Sequence, residues 1–167
     1  MASNGKLNSV MNSPSEWMQR AIDLAVENAR QGLGGPFGAV VVRDGVIVGS
    51  GANAVTATND PTAHAEVMAI RAACRALGTF QLRGCEIYTS CEPCPMCLGA
   101  IYWARPERIY FAATRADAAA AGFDDAHIYD ELKLDPEERV IPCAQLLRDH
   151  AAEAFRAWRE AIQRVPY

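Results

Sequence analysis

The chain has 167 residues, 50% of them apolar and 22% charged, with a formal net charge of −4. That composition excludes a disordered chain and a membrane-embedded one, and the length suits a single core that needs no disulfide scaffold. Arg outnumbers Lys heavily, with Lys6 and Lys133 the only lysines, and the acidic balance argues against a broad nucleic-acid surface.

In chain order, residues 1–14 are polar, rich in Ser and Asn, and read as a flexible N-terminal arm. The remainder, 15–167, reads as one domain. Ser13 or Ser15 caps a first helix in which Trp17, Ile22, Leu24, Ala25 and Ala29 recur at helical spacing. A glycine-rich stretch to Pro36 stops it. Phe37–Arg43 and Val46–Asn53 then flank Asp44-Gly45, a strong hairpin signal. After a Thr/Asn loop, Asp60-Pro61-Thr62 opens a second helix to about Ala76, with proline in the first turn where its missing N–H costs nothing.

Cys85–Ser90 reads as a strand and Cys94–Ala104 as a helix stopped before Pro106. Arg108–Ala113 is another strand, Asp124–Leu132 a helix, Val140–Cys143 a last strand, and Ala151–Arg164 a closing amphipathic helix. Helices between the later strands predict parallel pairing beside an initial hairpin. The expected fold is therefore α/β, a mixed sheet covered on both faces.

The first fifteen residues carry no apolar signal-peptide core, and no apolar run approaches the roughly eighteen residues of a membrane span. A cytoplasmic location follows as an expectation. In that compartment thiols stay reduced, and clustered cysteines point to metal or catalysis. Cys91, Cys94 and Cys97 form such a cluster.

Cys94 and Cys97 are three residues apart at a helix start, where the positive end of the helix favours thiolates. His64, at the start of another helix, completes a set of two thiolates and one imidazole. Such a set suits one zinc ion per chain and leaves a fourth tetrahedral position, the pattern of a catalytic site. Glu66, two residues from His64, is placed to take and deliver protons as the catalytic carboxylate. Alone, each piece is common. Together, His64-Ala65-Glu66 and Pro93-Cys94-Pro95-Met96-Cys97 make the His-x-Glu and Pro-Cys-x-x-Cys signature of zinc deaminases.

Two rivals use Cys91. An iron–sulfur run needs a cysteine four positions after Cys97, and Ile101 stands there. A four-sulfur structural zinc site completed by Cys85 needs Cys91 on the face of Cys94 and Cys97, yet Glu92 before Pro93 is biased to extended backbone.

The strings Asp60-Pro-Thr-Ala-His64-Ala-Glu66 and Glu92-Pro-Cys94-Pro-Met-Cys97 resemble the cytidine deaminase superfamily. Its purine branch, the bacterial guanine deaminases and tRNA adenosine deaminases, is the most similar part. From Trp17 to Tyr167 the chain is similar to bacterial guanine deaminases, through Gly34-Gly-Pro-Phe37-Gly-Ala, Thr89–Pro106, Ala121–Asp125 and Phe155–Arg159.

The resemblance implies a three-layer α/β/α cytidine-deaminase-like fold, zinc on His64, Cys94 and Cys97, and Glu66 as proton shuttle. It implies hydrolysis of guanine to xanthine and ammonia, with a zinc-bound hydroxide attacking the amine-bearing carbon. A tRNA adenosine deaminase, or a deaminase of another amino-heterocycle, is the alternative within the family. Against RNA stand Asp124 and Asp125, which would repel phosphates, and the scarcity of Lys.

Asn53 is expected to read a purine edge and Phe37 and Trp103 to wall the base. Asp125 is the first candidate for a second proton-handling carboxylate, and Glu131 the weaker one. The resemblance further implies a homodimer exchanging its C-terminal tail, with Tyr167 closing the partner's site. Cys74, Cys85 and Cys143 sit in apolar sequence and read as buried thiols, and His127 and His150 as ordinary histidines.

Overall fold

Successive residues of the strand Gly38–Arg43 face opposite ways, and both faces are apolar, so this strand must be covered on both sides. A computed structural model describes residues 13–167. The chain divides into two compact units, Met1–Asp124 and Asp125–Tyr167.

In the first unit, α1 (Pro14–Arg30) is followed by β1 (Gly38–Arg43), β2 (Val46–Ala52), the single turn α2 (Val55–Thr58) and α3 (Ala65–Leu77). Then come β3 (Cys85–Cys91), α4 (Pro95–Ala104), β4 (Arg108–Ala113) and α5 (Arg115–Ala120). The strand order is β2-β1-β3-β4, antiparallel except for the parallel pair β3–β4. This is the mixed sheet that the hairpin and the later helix predict. Val40, Val42 and Tyr88 pack with Trp17 of α1 on one face. Ala39, Val41, Cys85 and Ile87 pack with Ala65, Ala69 and Ala73 of α3, and with Ile101 of α4, on the other. Three layers result. No helix among the described residues is long and apolar enough to cross a membrane.

Two glycines let α3 lie directly on β2. A Cβ at Gly51 would stand 2.5 Å from the Ala65 carbonyl oxygen, and one at Gly49 would stand 2.5 Å from the Ala73 nitrogen. Backbone contacts this close leave no room for a side chain. The start of α3 is thereby fixed against the sheet.

The expected 1–14 arm lies outside the described residues up to residue 12. Ser13 is the N-cap of α1 and Pro14 its first residue, and the Ser13–Glu16 capping box makes both reciprocal hydrogen bonds. The second helix starts at Ala65 rather than Asp60. Asp60 Oδ1 accepts from the Thr62 N–H and hydroxyl, at 2.8 and 2.7 Å, and this side-chain turn displaces the helix start.

The second unit holds α6 (Ala126–Glu131), a short 3₁₀ turn (Pro136–Glu138) and α7 (Arg148–Glu160). The strand expected over Val140–Cys143 is absent; Val140 is 84% exposed and Ile141 80%. Proline at 142 has no N–H for a ladder, and the sheet ends at β4. Cys143, expected to be buried, is exposed, while Cys74 is half-buried and Cys85 buried. The closing helix stops at Glu160, so Ile162 lies beyond it, and Phe155 and Trp158 are exposed.

Candidate active site

His64 is the N-cap of α3 and Cys94 the N-cap of α4, each in extended backbone. Both helices therefore direct their N-terminal ends at one cluster. Approaching His64, the chain is braced by hydrogen bonds from His64 N to Thr62 O (2.8 Å) and from Ala54 N to Ala63 O (2.9 Å). Approaching Cys94, Glu92 donates its N–H to Ala113 O at 2.8 Å, and its carboxylate accepts the Arg115 N–H at 3.1 Å. The Pro93 loop is thus tied to the end of β4 before α4 begins.

His64 Nδ1 lies 3.6 Å from Cys94 Sγ and 3.5 Å from Cys97 Sγ. A tetrahedral ion bonded to sulfur at about 2.3 Å and nitrogen at about 2.0–2.1 Å sets S···N edges of about 3.5 Å. The donor set fits zinc in chemistry and in spacing. Among the described residues, His64, Cys94 and Cys97 are the one group of three such side chains close enough to share an ion.

The protein surroundings treat the two thiols unequally. A hydrogen bond with Cys97, aided by His64, draws the Cys94 thiol down to about 4. The same hydrogen bond, burial and the Glu66 carboxylate push Cys97 well up. A bound divalent cation would favour the deprotonated form of both, because a coordinating thiol gives up its proton.

Cys91 takes no part. It ends β3, its Sγ faces Thr114 O at 3.6 Å, and burial pushes its thiol up to about 11. Cys85 sits at the opposite end of the same strand. Neither four-sulfur alternative is assembled.

Glu66, in the first turn of α3, is only 5% exposed. Its Oε2 stands 3.4 Å from Cys97 Sγ, and its Oε1 accepts from the Thr89 hydroxyl at 3.2 Å. Burial pushes its carboxyl up, favouring the protonated form. Sequence reasoning missed Thr89. Its signal was the alternation of β3, since Cys85 and Ile87 face α3 and Thr89 follows in the same row.

Asn53 is buried immediately after β2; its Oδ1 accepts from Gly35 N and Val55 N at 3.2 and 3.3 Å. Phe37 packs edge-on against Phe123 with ring centroids 5.0 Å apart. Trp103, on α4, is 63% exposed. In the second unit Asp125 is the N-cap of α6 and Tyr167 is exposed. The Glu131 carboxylate accepts the Val140 N–H at 2.8 Å, a local structural use.

The sequence pattern of the cytidine and deoxycytidylate deaminase zinc-binding region matches residues 11–113. Guanine deaminase of Bacillus subtilis is 55% identical over 151 residues, covering 90% of this chain and 97% of that protein. Its crystal structure superposes with a TM-score of 0.91 at 54% identity, over 93% of this chain and 99% of that one. The guanine deaminase of Nitrosomonas europaea matches at 30% identity and a TM-score of 0.67, over 93% and 90% of the two chains. A tRNA-specific adenosine deaminase of Aquifex aeolicus is 47% identical over 78 residues, 47% of this chain and 52% of that protein. With its zinc-ligand cluster, buried carboxylate and layered fold, the chain belongs to the cytidine and deoxycytidylate deaminase family, as a homologue of the guanine deaminases.

Proposed function

We propose that this chain hydrolyses guanine to xanthine and ammonia. The observation that carries the chemistry is the buried Glu66 carboxyl held 3.4 Å from Cys97 in the three-ligand cluster. Zinc on His64, Cys94 and Cys97 supplies a strong nucleophile from water near neutral pH. Glu66 passes its proton to the ring nitrogen beside the attacked carbon, then takes the proton of the oxygen added to that carbon and delivers it to the amine, which leaves as ammonia. Its burial supports that role, because a carboxyl must be protonated at working pH to donate. Asn53, Phe37 and Trp103 bind and wall the purine.

The choice of guanine over an adenosine in tRNA is supported by the extent of likeness. Similarity to the guanine deaminase of Bacillus subtilis runs over 90% of this chain, whereas that to the Aquifex aeolicus tRNA enzyme covers 47%. The net charge of −4 supports a small ligand over RNA.

Asp125 serves as the second proton-handling carboxylate, with Glu131 the weaker candidate. The chain works as a homodimer in which the C-terminal tail is exchanged and Tyr167 closes the partner's site. Supporting this, Phe155, Trp158 and Ile162 stand exposed, an apolar set that a second copy would cover. Six free thiols support residence in the reducing cytoplasm.

An ammonia-release assay of the zinc-loaded protein tests the reading, with guanine, cytidine, adenosine, aminotriazines and an adenosine-bearing tRNA anticodon arm. Guanine turns over fastest by a wide margin. Efficient editing of the tRNA arm with guanine inert transfers the function to the alternative.

A further inference from the structure

The zinc cluster and Glu66 account for chemistry at one carbon, but they do not say how the ring is oriented. Asn53 lies close to them along the backbone. The N–H of the next residue, Ala54, donates to Ala63 O at 2.9 Å, and Ala63 precedes His64. Asn53 is 7% exposed, and its Oδ1 accepts from two backbone N–H groups. Two N–H donors can be met only by the oxygen of an amide, so the identity of its two ends is decided by its surroundings. Nδ2, the other end, has no acceptor among the described residues. The one hydrogen-bonding capacity that the Asn53 side chain retains is therefore donation.

The backbone around this amide is held by Asn28, near the end of α1 and 6% exposed. Asn28 Nδ2 donates to Asn53 O and to Gly35 O, each at 2.8 Å. It uses both protons of one amide to join the two segments whose contact orients Asn53. The same approach requires glycine at 34, where a Cβ would stand 2.2 Å from Asn53 O. Asn28 touches neither the zinc ligands nor Glu66 by any hydrogen bond of its amide.

We propose that Asn28 is a positioning residue that holds Asn53 as a donor-only reader, so the ligand must present a lone-pair acceptor to Asn53 Nδ2. The class is a heterocycle with an unprotonated ring nitrogen or a carbonyl oxygen at that point. This rests on the reading of the site as an aminopurine pocket. A ring offering an N–H there meets another donor and is rejected, the discrimination a polar site makes best.

The test uses the zinc-loaded full chain and guanine, with 3-deazaguanine, 7-deazaguanine and 2-aminopurine as competitors, which lack N3, N7 and O6 respectively. Asn28→Ala raises KM for guanine about 10- to 100-fold, with kcat within about threefold and zinc content unchanged. One of the three competitors binds the natural chain about tenfold or more weaker than guanine does, and in Asn53→Ala that penalty falls below about threefold. A merely structural Asn28 lowers Tm or active fraction and leaves KM alone. A folded, zinc-loaded Asn28→Ala with natural KM, or a penalty that survives in Asn53→Ala, overturns the proposal. If Asn28→Ala does not fold, Asn28→Ser retains one donor and reads the same KM. Side-chain amide hydrogen exchange is independent of substrate: Asn28 is protected and Asn53 is not, and rapid exchange at Asn28 overturns the proposal even if guanine proves not to be the substrate. Guanine that binds with this pattern without turning over defeats the functional reading alone.

Discussion

The Thr89 hydroxyl donates to Glu66 Oε1 at 3.2 Å and joins the middle of the sheet to the first turn of α3. Thr89 is 1% exposed, on a strand paired on both sides, and its branched Cβ restricts rotation. With its one hydroxyl proton committed to Oε1, the Glu66 carboxyl turns Oε2 toward Cys97.

Thr89→Val keeps that shape and removes the hydroxyl from which Oε1 accepts, at a cost of about 1–3 kcal/mol. Turnover is expected to fall about tenfold or more at unchanged zinc content, while Thr89→Ser retains most of it. Equal rates for the valine and serine variants would assign Thr89 to packing alone.

Glu66→Gln preserves size and burial but removes the proton-carrying group. Turnover is expected to drop about 10²- to 10⁴-fold, with zinc content and Tm close to those of the natural chain. Metal analysis beside single-turnover rates makes the check; near-normal turnover with zinc retained would move the shuttle role to another carboxylate.

Gly51→Val forces a side chain against the Ala65 carbonyl, 2.5 Å from where its Cβ must stand. Backbone must move, at a cost of about 1–3 kcal/mol or more. Since Ala65 lies between His64 and Glu66, zinc affinity and turnover are expected to fall with Tm. Chemical denaturation and a zinc competition assay measure the two effects together, and a loss of stability with zinc affinity intact would uncouple them.

Removing Val165–Tyr167 is expected to leave zinc content and Tm nearly unchanged while sharply reducing guanine turnover. Sedimentation beside the rate assay shows whether the truncation also changes the oligomeric state. A truncated protein as active as the full chain would leave the tail without a catalytic part.

Much of the site is legible in the sequence. His64, Glu66, Cys94 and Cys97 announce themselves because metal chemistry needs those side chains at short spacings, and the hairpin at Asp44-Gly45 and the alternating strands follow from local backbone preference. The N-terminal boundary of α3 was misjudged because Asp60 caps its own turn through Thr62, a side-chain competition that a proline-based helix start overlooks. Val140–Cys143 has strand composition but joins no ladder, and a strand without a ladder does not form.

Ligand chemistry, the initial hairpin and the family are legible in the chain because the strings His64-Ala-Glu66 and Pro93-Cys94-Pro-Met-Cys97 and the turn Asp44-Gly45 are each complete within a few residues. Only the tertiary structure decided that Thr89, 23 residues from Glu66, reaches its carboxylate, and that Asn28, 25 residues from Asn53, holds its backbone. Neither partner is recognisable by type, since Thr in a strand and Asn in a helix are ordinary. Their roles arise where burial removes water and neighbouring protein groups must supply the hydrogen bonds that water otherwise would.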